Sequence, residues 1–277
     1  MKRWFTTFAA VLLCSAALRA DITIVQSITM EGGMMAMAAQ AGQNITPKLT
    51  TRIKGLKTRT DVEAGPSTVV TIIDLAEKQI IILNAAQKTA TIKQMGAPPA
   101  GTPPAPTMTG PTVDGSMKAT GRSQTIDGIK TDEFKFITSI DMSTMAGANV
   151  PPEAAAMMKG LKMNMDGSIW LAKDVPGASE YMAFQKAAAG GDMAAAAMGA
   201  AGMSIPGMEK LMKAMSGAEG LAYLTEVTMT IDGTGQMADM MKQMGPMKIT
   251  NKVSSINNDP ISDDQFKVPD GYTIVKQ

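Results

Sequence analysis

The chain of 277 residues contains no histidine and one cysteine, Cys14. Without histidine, zinc sites that need imidazole ligands and histidine-based catalytic triads are excluded. Cys14 lies in a segment with the pattern of an export signal, so we expect the mature chain to lack disulfides, thiolate metal ligands and cysteine nucleophiles. Aromatic residues are also few, at 4%. The core must therefore come from aliphatic side chains and methionine.

An excess of either charge is missing as well. The chain has 26 basic and 25 acidic side chains, and removal of Lys2, Arg3 and Arg19 with the signal leaves a net charge of about −2. A nucleic-acid-binding protein usually carries a basic patch or a strong positive balance. We therefore expect no nucleic-acid partner. No phosphate-binding loop or paired catalytic carboxylates are present either, so we expect neither enzymatic activity nor a cofactor.

The first 20 residues have the pattern of a secretory signal peptide. Lys2 and Arg3 form a charged start, residues 4–17 are mostly apolar, and Ala20 is a small residue suited to cleavage. The pattern predicts a signal peptide over 1–20 and a single mature domain over 21–277. The expected location is the bacterial periplasm or the exterior, with the mature chain soluble and not membrane-spanning.

Apolar residues alternate with polar ones in most of the mature chain, which indicates half-buried β-strands. We predict strands over 21–30, 67–75, 78–84, 88–93, 122–128, 129–140, 163–172, 221–233 and 247–256, and one long basic strand over 47–63, bent at Gly55. Tight connections between them favour an antiparallel arrangement. Asp127-Gly128 suits a hairpin turn.

Two segments interrupt this pattern. Residues 96–112 are rich in proline and glycine and predict a solvated loop. Residues 176–217 are rich in alanine and methionine and predict a helical insertion within the domain, with Ser179 as a cap for its first helix. Shorter helices are predicted over 151–161 and 235–245.

Methionine is unusually abundant, with 27 residues in the chain. Its flexible thioether side chain can repack around ligands of different shape. The spacing i, i+3, i+4, i+7 predicts two apolar helix faces, formed by Met208, Leu211, Met212, Met215 and by Met237, Met240, Met241, Met244. We take these eight residues as candidate ligand-binding residues, with Trp170 and Phe136 as candidates on the sheet. The alternative interpretation is that the same faces are ordinary core.

Several strings resemble, in this order, a DUF-type family of exported bacterial proteins of unknown function. They are RIKGLKTR, STVVTIIDLAEKQIIILNAAQKTATI, TGRSQTIDGIKTDEFKF, GSIWLAKDVP and DQFKVPDGYTIV. That family is similar to the lipoprotein-carrier superfamily (LolA-like and LppX-like). The resemblance implies an α+β fold in which a strongly curved antiparallel β-sheet, a half-barrel, has Met/Ala-rich helices covering its concave face. It also implies a bound acyl chain or similar lipid.

The sequence therefore predicts a non-catalytic envelope protein that binds or carries a lipid or other hydrophobic molecule. One alternative is a structural or assembly partner of another envelope protein through an apolar face. Another is binding of Cu(I) or Ag(I) by methionine thioethers, for which Met163 and Met165 share a strand face. The basic cluster Lys48, Arg52, Lys54, Lys57 and Arg59 could meet anionic head groups, although a solvated strand face explains it as well.

Overall fold

Strands dominate the computed structural model, which describes residues 21–32, 46–65, 67–95, 108–109, 112–142, 160–189, 203–204, 217–243 and 245–276. The strands are β1 (Ile22–Glu31), β2 (Lys48–Lys54), β3 (Lys57–Ala64), β4 (Ser67–Asp74), β5 (Gln79–Asn84), β6 (Thr89–Gln94), β7 (Met108–Thr109), β8 (Thr112–Ile126), β9 (Ile129–Asp141), β10 (Lys162–Ala172), β11 (Met203–Ser204), β12 (Leu221–Asp232), β13 (Met247–Asn257) and β14 (Thr273–Lys276). The helices within these residues are α1 (Ala178–Ala189), α2 (Gln236–Gln243) and a 3₁₀ helix, Asp263–Phe266.

Twelve of these strands form one sheet in the order β14-β6-β5-β4-β3-β2-β1-β13-β12-β10-β9-β8. Neighbouring strands are antiparallel except β14, which runs parallel to β6. The short strands β7 and β11 form a separate parallel pair. The large sheet is open, because β14 and β8 lie at its two ends and do not pair with each other.

The predicted fold class is wrong. The expected α+β half-barrel with Met/Ala-rich helices over its concave face is replaced by a mixed, open, 12-stranded sheet with two α-helices among the described residues. Helix α1 packs on β1, β2 and β12, and α2 contacts β12. The physical reason is that period-two segments make up most of the described residues, and such segments pair as strands.

The strand predictions from alternation are largely confirmed. The meander β4-β5-β6 and the hairpin β8-β9 pair antiparallel as expected. At the turn of that hairpin, Asp127 and Gly128 have φ values of 50° and 83°. Both residues therefore adopt the left-handed conformation that an Asp-Gly hairpin turn requires.

Some other segment predictions are wrong, and some concern residues that the structure does not describe. The long basic strand over 47–63 is a hairpin, because the chain reverses at Gly55, whose φ is 57°, and β2 pairs with β3. Within the predicted helical insertion, residues 203–204 form strand β11 rather than helix, and α1 is the helix that the structure describes there. The signal segment 1–20, most of the loop 96–112 and most of the helix predicted over 151–161 lie outside the described residues.

Two separate layers cover the sheet. On one face, α1 places Ala178 and Phe184 against Ile22, Ile24 and Ile53 of β1 and β2. On the other face, the C-terminal segment places Ile261 and Phe266 against β4, β5 and β6, where the buried partners are Val70, Ile72, Ile81, Leu83 and Ala90. The two layers lie on opposite faces because the residues that each layer covers occupy alternate positions along the strands.

The sheet bends at the end where the β8-β9 turn lies. The Asp127 carboxylate accepts a hydrogen bond from the Tyr223 hydroxyl at 3.2 Å and pairs with the Lys252 ammonium at 2.9 Å. Tyr223 is on β12 and Lys252 on β13, which is three strands away from β9 in the sheet. In a flat sheet three strand spacings amount to about 14 Å. Bending at this end brings the turn to its partners.

Helix α1 begins at a close approach to the sheet. A Cβ on Gly177 would lie 2.9 Å from three side-chain carbons of Ile22, which is fully buried. One turn later, the Glu180 carboxylate accepts a hydrogen bond of 2.7 Å from the backbone N–H of Gly55 in the β2-β3 turn. These two contacts fix the first turn of α1 against β1 and β2.

We predict that Gly177→Ala destabilises the protein more than Gly121→Ala. Both glycines have positive φ, 73° and 76°, but a Cβ on Gly121 meets nothing within 4 Å. The shared conformational cost is about 1 kcal/mol, and the clash with Ile22 adds about 1–3 kcal/mol at Gly177 alone. Urea unfolding of both variants measures the difference, and equal losses would contradict the close approach.

Candidate functional site

A cavity of about 260 Å³ lies between α1 and the sheet. Its wall consists of residues from β1, β2, β3, α1 and the start of β12: Ile24, Gln26, Thr51, Ile53, Thr58, Thr60, Tyr181, Phe184, Gln185, Leu221 and Ala222. The six residues from β1–β3 share one sheet face, because Ile24, Thr51 and Thr60 lie opposite one another in register. The helix stands over this face and closes one side of the cavity.

The wall combines apolar and neutral polar side chains, and none of the described residues that line it carries an ammonium, guanidinium or carboxylate group. Threonine hydroxyls and glutamine amides supply the polar atoms, and the hydroxyl oxygens of Thr51 and Thr60 lie 3.4 Å apart. Burial raises the pKa of the Tyr181 hydroxyl, against an opposing hydrogen bond with Gln185 on the same helix. The cavity can therefore hold an apolar group and hydrogen-bond a neutral polar group beside it.

Of the methionine residues predicted from helix periodicity, Met240 and Met241 are described with their side chains, and neither is among the residues that line this cavity. Met208, Leu211, Met212, Met215 and Met244 lie outside the described residues. Met237, Met240 and Met241 belong to α2; Met240 is exposed and Met241 half-buried. Their role as ligand-binding residues stays a prediction.

The two aromatic residues predicted on the sheet lie on opposite faces. Phe136 is opposite Gly167 and its ring covers that glycine, whereas Trp170, three residues further along β10, is opposite Glu133. An odd separation along a strand changes the face. Phe136 and Trp170 therefore do not belong to one site, and neither lines the cavity under α1.

Sequence reasoning missed the residues that do line it. Tyr181, Phe184 and Gln185 lie one helical turn apart in a segment recognised as helical, and alternation placed Thr51, Ile24 and Leu221 on strands. The available signal was the pair of aromatic residues in α1 within a chain that is poor in aromatics. The sequence does not reveal the strand register that places β1, β2 and β12 beneath that helix.

Trp170 belongs to a buried polar cluster on its own face. Glu133 is 2% exposed, and its carboxylate accepts hydrogen bonds from the hydroxyls of Thr120 and Ser168 and from the guanidinium of Arg122, at 2.7–2.9 Å. The same guanidinium lies 5.7 Å from the centre of the Trp170 ring. Burial acts to raise the pKa of Glu133, but these hydrogen bonds and Arg122 outweigh it, so the pKa is lowered.

Four of the five basic residues of the cluster on β2 and β3 are paired with carboxylates. Arg52 and Arg59 both contact Asp61, Lys57 contacts Asp74, and Lys54 contacts Asp263 at 2.8 Å. Lys54 and Arg59 also donate to the backbone carbonyls of Ile261 and Gln265. Lys54 and Arg59 thus anchor the C-terminal segment to the sheet, which favours a structural role for the cluster over a surface for anionic head groups.

Register brings three methionines together on the sheet. Met165 of β10 is directly opposite Met229 of β12, which is directly opposite Met247 of β13. All three are half-buried on the face that also carries Met163 and Phe136. Side chains directly opposite on neighbouring strands have Cβ atoms about 5 Å apart. We call Met165, Met229 and Met247 the methionine row.

Comparison with known proteins gives little further information. No family model matches the chain, and no curated protein matches it. Among solved structures, it is similar to the crystal structure of an uncharacterized conserved protein from Thermus thermophilus, with 8% identity and a TM-score of 0.37 over 94% of this chain and 92% of that one. A likeness of this size defines neither fold nor function. Within the described residues, none of the helices has the length and apolar character needed to cross a bilayer.

We predict that Glu133→Gln makes the free energy of unfolding depend less on pH in the acidic range. The pKa of Glu133 is lower in the folded chain than its unfolded value of about 4.3. The Glu133 carboxylate therefore adds to the free energy of unfolding above the unfolded pKa. This stabilisation is lost as the pH falls through the folded pKa. The wild type should lose more unfolding free energy than Glu133→Gln between pH 7 and pH 3. Glu63→Gln, at an exposed position on β3, serves as the control and should follow the wild type.

Proposed function

We propose that the protein is an exported, non-catalytic binder or carrier of a lipid or other hydrophobic molecule in the bacterial cell envelope. The cavity beneath α1 supports this proposal most directly. A small-molecule site is typically concave and mainly apolar, with a few polar groups that orient the ligand. The aromatic side chains of Tyr181 and Phe184 and the hydroxyls of Thr51, Thr58 and Thr60 supply both elements.

The size and charge of the cavity narrow the ligand class. At about 260 Å³ the cavity is below the range of about 300–1,000 Å³ usual for drug-sized ligands, so it suits one acyl chain or a small apolar molecule rather than a whole phospholipid. The part of the wall that the structure describes carries no cationic side chain that would pair with an anionic head group. The favoured ligand therefore has an apolar body and a neutral hydroxyl, carbonyl or ester group.

The position in the cell envelope rests on the sequence. The signal pattern over residues 1–20 supports export, and the resemblance to the lipoprotein-carrier superfamily supports a lipid as ligand. Neither depends on α1. The proposal for the ligand and the proposal for the location can therefore fail separately.

We predict that Thr60→Met abolishes ligand binding, whereas Thr71→Met leaves it unchanged. Thr60 and Thr71 are opposite each other on β3 and β4 and are both half-buried, but only Thr60 lines the cavity. The longer methionine side chain fills part of the cavity and excludes the ligand. Organic extraction of each purified protein, followed by mass spectrometry, measures the bound lipid.

A stoichiometric neutral lipid in the wild type and in Thr71→Met, but not in Thr60→Met, would support the proposal. Two results would overturn it: no hydrophobic molecule extracted from the wild type, or equal recovery from Thr60→Met. Far-ultraviolet circular dichroism of the three proteins checks that both variants fold.

The methionine row favours a second function, binding of Cu(I) or Ag(I). Thioether sulfur is a soft ligand that selects these monovalent ions, and Met229 lies between two other methionines on neighbouring strands. We propose this function as the alternative to lipid binding. Both could reside in one chain, because the row and the cavity share no residue.

We predict that Met229→Leu weakens Ag(I) binding at least tenfold, whereas Met117→Leu has no effect. Met117 is on the same sheet face, on β8, outside the row. Leucine keeps the apolar volume and removes the sulfur, so both variants should fold. Calorimetric titration of each protein with Ag(I) measures the affinity. Equal binding by the wild type and Met229→Leu would exclude the row as a metal site.

A further inference from the structure

The two ends of the large sheet differ in how they meet solvent. β14, at one end, has four residues, and a short edge strand offers little backbone to another chain. β8, at the other end, has 15 residues, of which Asp114, Ser116 and every residue from Lys118 to Thr125 are exposed. No strand of the described residues pairs with its outer side. A long, exposed edge strand is a surface on which another strand can add by backbone hydrogen bonding.

Only the first half of β8 is regular enough for such pairing. Thr112 to Ala119 pair with β9 without interruption, and the register then shifts between Ala119 and Ser123. In that bulge, Thr120 and Arg122 turn toward Glu133, and the Arg122 backbone N–H donates to the Thr120 hydroxyl. A bulge of this kind ends an edge that could pair. The usable stretch is therefore 112–119.

The sequence of this stretch is complementary to itself when it runs antiparallel. With Ser116 opposite a second Ser116, Asp114 is opposite Lys118, Gly115 is opposite Met117, and Val113 is opposite Ala119. Each pair joins residues on the same sheet face, since the positions that meet differ by an even number. Opposite charges meet on one face and apolar residues on the other.

Within a single copy, neither Asp114 nor Lys118 has an oppositely charged residue opposite it on β9. Within its own sheet, Lys118 is directly opposite Lys135 of β9, and Asp114 is opposite Ser139. Like charges directly opposite on neighbouring strands are unfavourable. Among the described residues, neither Asp114 nor Lys118 makes an ion pair. A carboxylate from a second copy would lie beside Lys118 on the side away from Lys135.

We propose that β8 is a homodimer interface, in which residues 113–119 of two copies pair antiparallel about a two-fold axis at Ser116. The occupant is a second copy because the charge and size pattern of the stretch matches its own reverse. The two sheets join into one continuous sheet. The inference is independent of what the cavity beneath α1 binds.

Charge reversal tests the register. The wild type should sediment as a dimer at micromolar concentration. Asp114→Lys and Lys118→Asp each convert two symmetry-related attractive pairs into repulsive ones and should raise the dimer dissociation constant about tenfold. The double variant Asp114→Lys/Lys118→Asp restores opposite charges and should restore the dimer. Because that variant carries both substitutions, it also controls for damage to folding.

A cysteine cross-link tests the axis. Cα atoms directly opposite on antiparallel strands are about 4.5–5.5 Å apart, which is within the range for a disulfide. Ser116→Cys should therefore form a disulfide-linked dimer under mild oxidation. Thr125→Cys, exposed on the same strand but away from the axis, should not, and the wild type controls for Cys14. A monomeric wild type, a dimer indifferent to both single charge reversals, or cross-linking by Thr125→Cys alone would overturn the proposal.

Discussion

The contact of Gly177 with Ile22 sets the height of α1 above the sheet, and the cavity follows from it. At its first turn the helix touches the strands, because Gly177 has no side chain and Glu180 binds the Gly55 N–H at 2.7 Å. Further along, Phe184 packs against the isoleucines of β1 and β2, and Thr51, Thr58 and Thr60 lie on the same sheet face beside them. Threonine is shorter than isoleucine, and a straight helix cannot follow the lower surface at these positions. The space that remains is the cavity.

Local pattern was sufficient to predict most strands but not their arrangement. Alternation located β1, β10, β12 and β13 within a few residues, and in β1 and β12 the residues of one face are more buried than those of the other. The basic segment 47–63 alternates on both sides of Gly55, so alternation alone cannot distinguish one bent strand from the hairpin β2-β3. The fold class failed for a different reason. Composition suggested helices wherever alanine and methionine gather, whereas the described residues pair mainly as strands.

Neither candidate site was predictable, because each is made by contacts between distant parts of the sequence. The methionine row joins residues 165, 229 and 247, which meet only through the registers of β10, β12 and β13. The cavity joins β1–β3 to a helix more than 100 residues later. Helix periodicity identified other methionines because it detects neighbours at i+3 and i+4 alone. Tyr181 and Phe184 have that spacing too, but the prediction was based on methionine alone.

The polar side of the cavity wall has an energetic reason. A dry, sealed apolar cavity costs about 24 cal/mol per Å³, but the space beneath α1 is partly open to solvent, so water enters it and this cost does not arise. Hydroxyls at Thr51, Thr58 and Thr60 and amides at Gln26 and Gln185 let water fill the space, which has room for about nine molecules. A ligand that displaces the water lying against Phe184 and Leu221, and leaves the threonine hydroxyls hydrogen-bonded, gains the apolar contact without leaving a buried polar group unpaired.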